Sequence, residues 1–150
     1  MRVLIDTNVI LEVILQREEF ERANGVLRAL YEAKHEMFIT TGCFYGLLYT
    51  VDKHLRKGMG MVNPGRTDTL RSIMAKVLSM MKVAGHDNAS LLQGINDKRF
   101  LDLEDSCQHQ AAVKAGCDCL ISFNLKDYAN GVSVKAMTPA EFLESFSEKK

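Results

Sequence analysis

The residues best placed for chemistry are carboxylates at the junctions of apolar segments. In MRVLIDTNVILEVI, Asp6 stands where a short apolar strand, Arg2 to Ile5, meets an apolar helix beginning near Val9. Glu104 and Asp105 open another helix, and Asp127 follows the apolar run beginning at Cys119. In open α/β sheets, ligands bind beyond the carboxyl ends of the strands, where strand order reverses. A carboxylate crowded by Leu4, Ile5, Val9 and Ile10 carries a desolvation cost unless it is paired. A divalent cation shared by several such groups offsets that cost and their mutual repulsion. Oxygen ligands with retained waters suit Mg²⁺ or Mn²⁺. A site of that kind activates water and polarises a phosphoryl oxygen, which is metal-assisted phosphodiester hydrolysis. Each acid also has a plainer reading: Asp6 as a helix N-cap, Glu104 and Asp105 as partners of a helix dipole, Asp127 as a turn residue.

Cations that could hold phosphates lie near these acids. Lys98 and Arg99 precede the acidic helix, and Lys126 adjoins Asp127. Lys53, His54, Arg56, Lys57, Arg66 and Arg71 surround the glycine-rich stretch 57–65, where a solvated charged loop is an equal reading. Tyr45, Tyr49 and Tyr128 are candidates to stack on bases, with core packing the favoured role for the first two. His35, His54, His86 and His109 show no metal-binding spacing. His109, one turn after Asp105, is expected to be structural or to support the site. Cys43, Cys107, Cys117 and Cys119 are dispersed, which fits reduced thiols of a cytosolic protein. A Cys-x-Cys pair without a partner pair is a weak zinc signal.

The elements that must position these groups alternate. Strands are expected at 2–5, 37–40, 83–85, 119–123 and 132–136. Helices are expected at 7–15, 17–34, 41–55, 67–81, 88–94 and 103–115, with a last one after Thr138. Asp102 is a natural N-cap and Gly116 a natural stop. Thr138-Pro139-x-Glu141 spells a capping box with proline at the first helical position. This alternation implies one three-layer α/β/α domain over residues 1–150, with a central parallel sheet of four to five strands. The chain has 150 residues, 47% of them hydrophobic, enough for a core. With 19 basic and 19 acidic residues the net charge is zero, so composition does not announce a strongly basic nucleic-acid binder. No apolar run is long enough to span a membrane. No leader peptide is read at the start, and a cytoplasmic location is expected.

The stretches VLIDTNVILEVI, DLEDSCQHQAAVKAGCDCLISFNLKDY and VSVKAMTPAEFL resemble the PIN domain family, from the first strand to the last helix and more loosely between residues 58 and 96. The resemblance implies a Mg²⁺- or Mn²⁺-dependent nuclease acting mostly on RNA, often the toxin of a toxin–antitoxin pair. By position it assigns catalysis and metal binding to Asp6, Asp105 and Asp127, with Asn8, Glu104 and Asn124 in support. It also implies an apolar groove for an antitoxin segment, sought among Leu11, Ile14, Leu15, Phe20, Val26, Leu27 and Leu30, and a homodimer. Two departures stand out. Gly46 occupies the place of the family's usual Glu in the helix after the second strand, and Asn124 takes a slot that is often acidic. They support an alternative: a catalytically degenerate module that binds RNA or a partner protein without cleavage. Phosphoryl transfer through an aspartyl-phosphate is disfavoured, because Asn8 stands where a second Asp is needed.

Overall fold

A computed structural model describes residues 1–126, 128 and 132–147. Strands and helices alternate as β1 (Arg2–Ile5), α1 (Thr7–Ile14), α2 (Phe20–Glu32), β2 (Glu36–Thr40), α3 (Thr41–Lys53), a π-helical turn (His54–Gly58), α4 (Gly65–Met80), β3 (Met81–Ala84), α5 (Asn88–Asn96), α6 (Leu103–Lys114), β4 (Cys119–Ile121), β5 (Lys135–Met137) and α7 (Pro139–Ser147). The five strands form one parallel sheet in the order β3-β2-β1-β4-β5. The expected α/β/α layering therefore stands.

Period-two alternation sorts the strand residues between two cores. Val3, Ile5, Met37, Ile39, Cys119 and Ile121 face a larger core shared with α1, α2, α3, α4 and α7. Leu4, Phe38 and Leu120 face a smaller one closed by Ala111 and Ala112 of α6. Both faces of β1 are buried, which is why it reads as an unbroken apolar run. The caps expected from sequence are present. The Asp102 carboxylate accepts from the Asp105 amide at 3.0 Å, Gly116 closes α6 at φ +65°, and Thr138 and Glu141 cap α7 reciprocally.

Several boundaries differ from expectation. The second helix begins at Phe20 rather than Arg17, because Gln16 takes a left-handed φ of 47° and the next residues form a turn. β3 starts two residues early, where pairing with Met37–Thr40 begins. β4 ends at Ile121; the Ser122 amide still donates to the Met137 carbonyl at 3.0 Å, while its side chain turns to the site described below. β5 is Lys135–Met137 rather than 132–136, its register fixed by the three residues of β4 opposite. Among the described residues, no helix is long and apolar enough to cross a membrane.

Candidate active site

The chain steps from β1 outward to β2 and β3, then returns to the other side of β1 with β4. Strand order thus reverses between β1 and β4. Asp6 sits immediately beyond β1, and Ser122 immediately beyond its neighbour β4. Asp6 caps α1, its Oδ1 accepting from the Thr7 amide at 2.7 Å. The same oxygen accepts from Gln108 Nε2 at 3.2 Å. Oδ2 accepts from Ser122 Oγ at 2.7 Å and from Asn8 Nδ2 at 3.3 Å. Four donors thus match the four lone-pair sites of one carboxylate. The capping and functional readings of Asp6 are compatible, since the cap uses one oxygen and leaves the group at the rim of a cleft.

Ser122 is fully buried and joins the assembly. It accepts from Asn8 Nδ2 at 3.0 Å and from the Asn124 amide at 3.0 Å. Asn8 Oδ1 accepts from the Phe123 amide at 3.2 Å, tying α1 to the segment after β4. Asn8 thus bridges Asp6 and Ser122 through its Nδ2. Ser122 and Gln108 had no assigned role in the sequence reading. Ser122 was legible only as a polar residue ending an apolar strand. Gln108 lies three residues after Asp105 on α6, which places it one turn along the same face.

A cleft of about 340 Å³ opens over this carboxylate, lined by Asp6, Asn8, Arg17, Gly46, Thr50, Asp102, Glu104, Asp105, Gln108 and Asn124 among others. The structure therefore brings Asp6, Asp105, Glu104, Asn8 and Asn124 together. It adds Asp102 and Arg17, neither of them singled out for this site by sequence. Arg17 makes no ion pair among the described residues, so its charge is available to the cleft. Asp127 lies outside the described residues. Lys98 and Lys126 are exposed. Arg99 does not reach the cleft: it forks onto Asp97 at 2.9 and 2.7 Å and lines a separate hollow with His109 on the other side of α6. Its guanidinium holds the Asp97 carboxyl down at about 2. His109 is buried, and burial lowers its pKa, with the Arg99 charge adding to that effect. Tyr128 is partly buried, packed against the smaller core with its ring edge-on to Phe100, and burial raises its pKa, with Asp6 and Asp105 next in effect.

Helix α3 presents three distinct stripes. Cys43, Leu47 and Val51 are buried, while Gly42, Gly46 and Thr50 line the cleft. Tyr45 and Tyr49 are 64% and 68% exposed, correcting the expectation that they pack in the core. A Cβ at Gly46 would meet no described atom closer than Thr7 Cγ2 at 3.8 Å. The place where the resembling family carries a Glu thus faces the cleft and has room for a side chain.

Oxygen donors are the right chemistry for Mg²⁺ or Mn²⁺. Among the described residues, however, no three His, Cys, Asp or Glu side chains are gathered closely enough to hold a metal as they stand. A second, larger hollow of about 620 Å³ lies between α1, α2 and α4, lined by Ile10, Val13, Ile14, Leu27, Tyr31, Ile73, Val77 and Met80. Of the residues considered for a partner groove, Ile14 and Leu27 line it. Leu11, Val26 and Leu30 are buried in the core, and Leu15 packs partly buried against it.

Residues 2–126 match the sequence pattern of the PIN domain. The chain is 23% identical over 151 residues to Ribonuclease VapC1 of Aquifex aeolicus (strain VF5), covering 97% of this chain and 96% of that protein. Its fold is similar to a toxin–antitoxin complex from Klebsiella pneumoniae, with TM-score 0.64, 20% identity and coverage of 91% of this chain and 97% of the other. It is also similar to VapC20 of Mycobacterium tuberculosis, described as a sarcin–ricin loop cleaving toxin, with TM-score 0.58, 14% identity and coverage of 88% and 98%.

Proposed function

The chain belongs to the PIN domain family, and on that premise we propose that it is a divalent-metal-dependent endoribonuclease and the toxin of a toxin–antitoxin pair. The observation that carries this reading is Asp6, held by four donors at the sheet's switch point and sharing one cleft with Asp105 and Glu104. Asp6 and Asp105, with Asp127 as the third acid that the family resemblance implies, would hold Mg²⁺ or Mn²⁺. A bound cation there supplies Lewis acidity toward a phosphodiester. The protein's own groups do the positioning. Thr7, Ser122 and Asn8 fix the Asp6 carboxylate, and Arg17 draws a phosphate toward an otherwise anionic cleft. Lys98 and Lys126, both exposed, extend the contact to RNA. Arg99 is already committed to Asp97 and contributes little.

The apolar hollow between α1, α2 and α4 is the proposed seat of an antitoxin segment. The Klebsiella pneumoniae relative in fold is a toxin–antitoxin complex, which supports that assignment. A homodimer completes the proposal. A second reading, a module that binds RNA or protein without cleavage, is favoured by two observations: Gly46 supplies no acid to the cleft, and Asn124 supplies an amide.

Mn²⁺ titration calorimetry on the parent chain and on Asp6→Asn, followed by cleavage of an RNA panel, separates the two. Metal binding and cleavage that are both lost in the variant support the nuclease. RNA binding without metal uptake or cleavage at millimolar Mn²⁺ establishes the degenerate module instead.

A further inference from the structure

We propose that the outward face of α3 is a stacking platform for single-stranded RNA, delivering the strand to the acidic cleft. The inference rests on the RNA-directed reading above and adds the surface that reads the strand. Tyr45 and Tyr49 are four residues apart on α3, so their backbone positions are about 6 Å apart along its axis and both side chains leave the same stripe. That rise is close to the spacing of successive nucleotides in an extended strand. Both rings are mostly exposed, at 64% and 68%, an unusual exposure for paired aromatics on a helix that buries its opposite face. Phe44, packed against the core, meets the Tyr45 ring edge-on with centroids 5.7 Å apart and an interplanar angle of 80°. The contact steadies the Tyr45 ring.

Charge is arranged to match a polyanion. Lys53 continues the tyrosine stripe by one more step of four, and Arg56 and Lys57 follow in the π-helical turn. All three are exposed, and among the described residues none enters an ion pair. By contrast, nearby Arg66 is paired with Asp52 at 3.1 Å and Arg71 with Asp68 at 2.9 Å. Gly46 and Thr50, each one residue beyond a tyrosine, line the cleft. A strand stacked on Tyr45 and Tyr49, its phosphates held by Lys53, Arg56 and Lys57, passes directly to Asp6 and Asp105. Stacking tolerates any base, because every base has a π face, so the platform selects unpaired strand over duplex rather than a sequence.

The test is fluorescence anisotropy with a labelled short oligouridine in EDTA, where neither metal nor hydrolysis enters. Tyr45→Ala and Tyr49→Ala are each expected to weaken binding roughly 5- to 140-fold. Tyr45→Phe and Tyr49→Phe are expected to bind like the parent, and duplex RNA to be unaffected by any of the four. Exposed helical positions tolerate alanine, and circular dichroism checks the fold. Parent-like binding by both alanine variants overturns the platform while leaving the nuclease reading intact. No oligouridine binding by the parent overturns the RNA-directed reading and the platform with it. If the alanine variants instead change the sedimentation coefficient of the free protein, the face belongs to a second copy of the chain, and the proposal is wrong.

Discussion

Ser122→Ala removes one oxygen and opens almost no cavity, yet that oxygen holds the candidate site together. The hydroxyl donates to Asp6 Oδ2 at 2.7 Å, and a hydrogen bond to an ionised group contributes about 1.5–3 kcal/mol. It also accepts from Asn8 Nδ2 at 3.0 Å, a neutral bond contributing about 0.5–1.5 kcal/mol. Asn8 keeps its bonds to Asp6 and to the Phe123 amide, so that second loss is partial. The amide of exposed Asn124 can turn to water at little cost. Asp6 is only half-buried, and water recovers part of the first loss. The net expectation is a destabilisation of about 2 kcal/mol, which for a chain of this size lowers Tm by about 4–8 °C. Calorimetric melting at neutral pH reads it directly. Loosening a group that orients a metal ligand typically costs 10–100-fold in metal affinity or activity, so Mn²⁺-dependent cleavage should fall by about that factor. A double-mutant cycle with Asp6→Asn should show coupling well above the few tenths of a kcal/mol found for independent sites. An unchanged Tm with additive single variants refutes the claim that Ser122 anchors Asp6.

Gly46→Glu should tighten Mn²⁺ binding by about tenfold or more, because it adds an ionised oxygen ligand facing the cleft with no close contact in its way. Calorimetry checks the affinity, and replacing a helical glycine should keep stability within about 1 kcal/mol of the parent. Gly94→Ala should destabilise by about 1–2 kcal/mol in urea melts. Its Cβ would lie 2.7 Å from Cys107 Sγ and 3.0 Å from Cys107 Cα, forcing α5 from α6, while the helix-propensity gain offsets only part of the overpacking. Stability should fall as pH drops below about 6.5. His109 has a folded pKa below that value, so the unfolded chain takes up a proton the folded chain refuses. Urea midpoints at pH 5 and 7.5 measure the slope, and His109→Gln should reduce it, leaving the contribution of His86, whose pKa burial also lowers.

The layer order, the run of helices and strands, and most caps were legible in the chain alone because they are set by local periodicity and local hydrogen bonding. Thr138 and Glu141 bond each other across three residues, and Asp102 bonds an amide three residues on, so no distant contact is needed to read them. Asp6 was legible for the complementary reason: a carboxylate between two apolar segments is costly unless something pairs with it. The tertiary structure decided what pairs with it. Gln108 and Ser122 lie 102 and 116 residues away and meet Asp6 only because β4 returns to the side of β1 opposite β2. It also decided which aromatic rings are free. Tyr45, Tyr49 and Tyr128 look alike as residue types, yet the first two face outward and the third is packed partly buried, edge-on to Phe100. Helical spacing fixes which residues share a stripe, but only packing against the sheet fixes which stripe faces the core. The same limit separates Arg17 from Arg99. Both are arginines near acids in the chain, but Arg99 finds Asp97 two residues away, whereas Arg17 is carried by the turn after α1 into the acidic cleft.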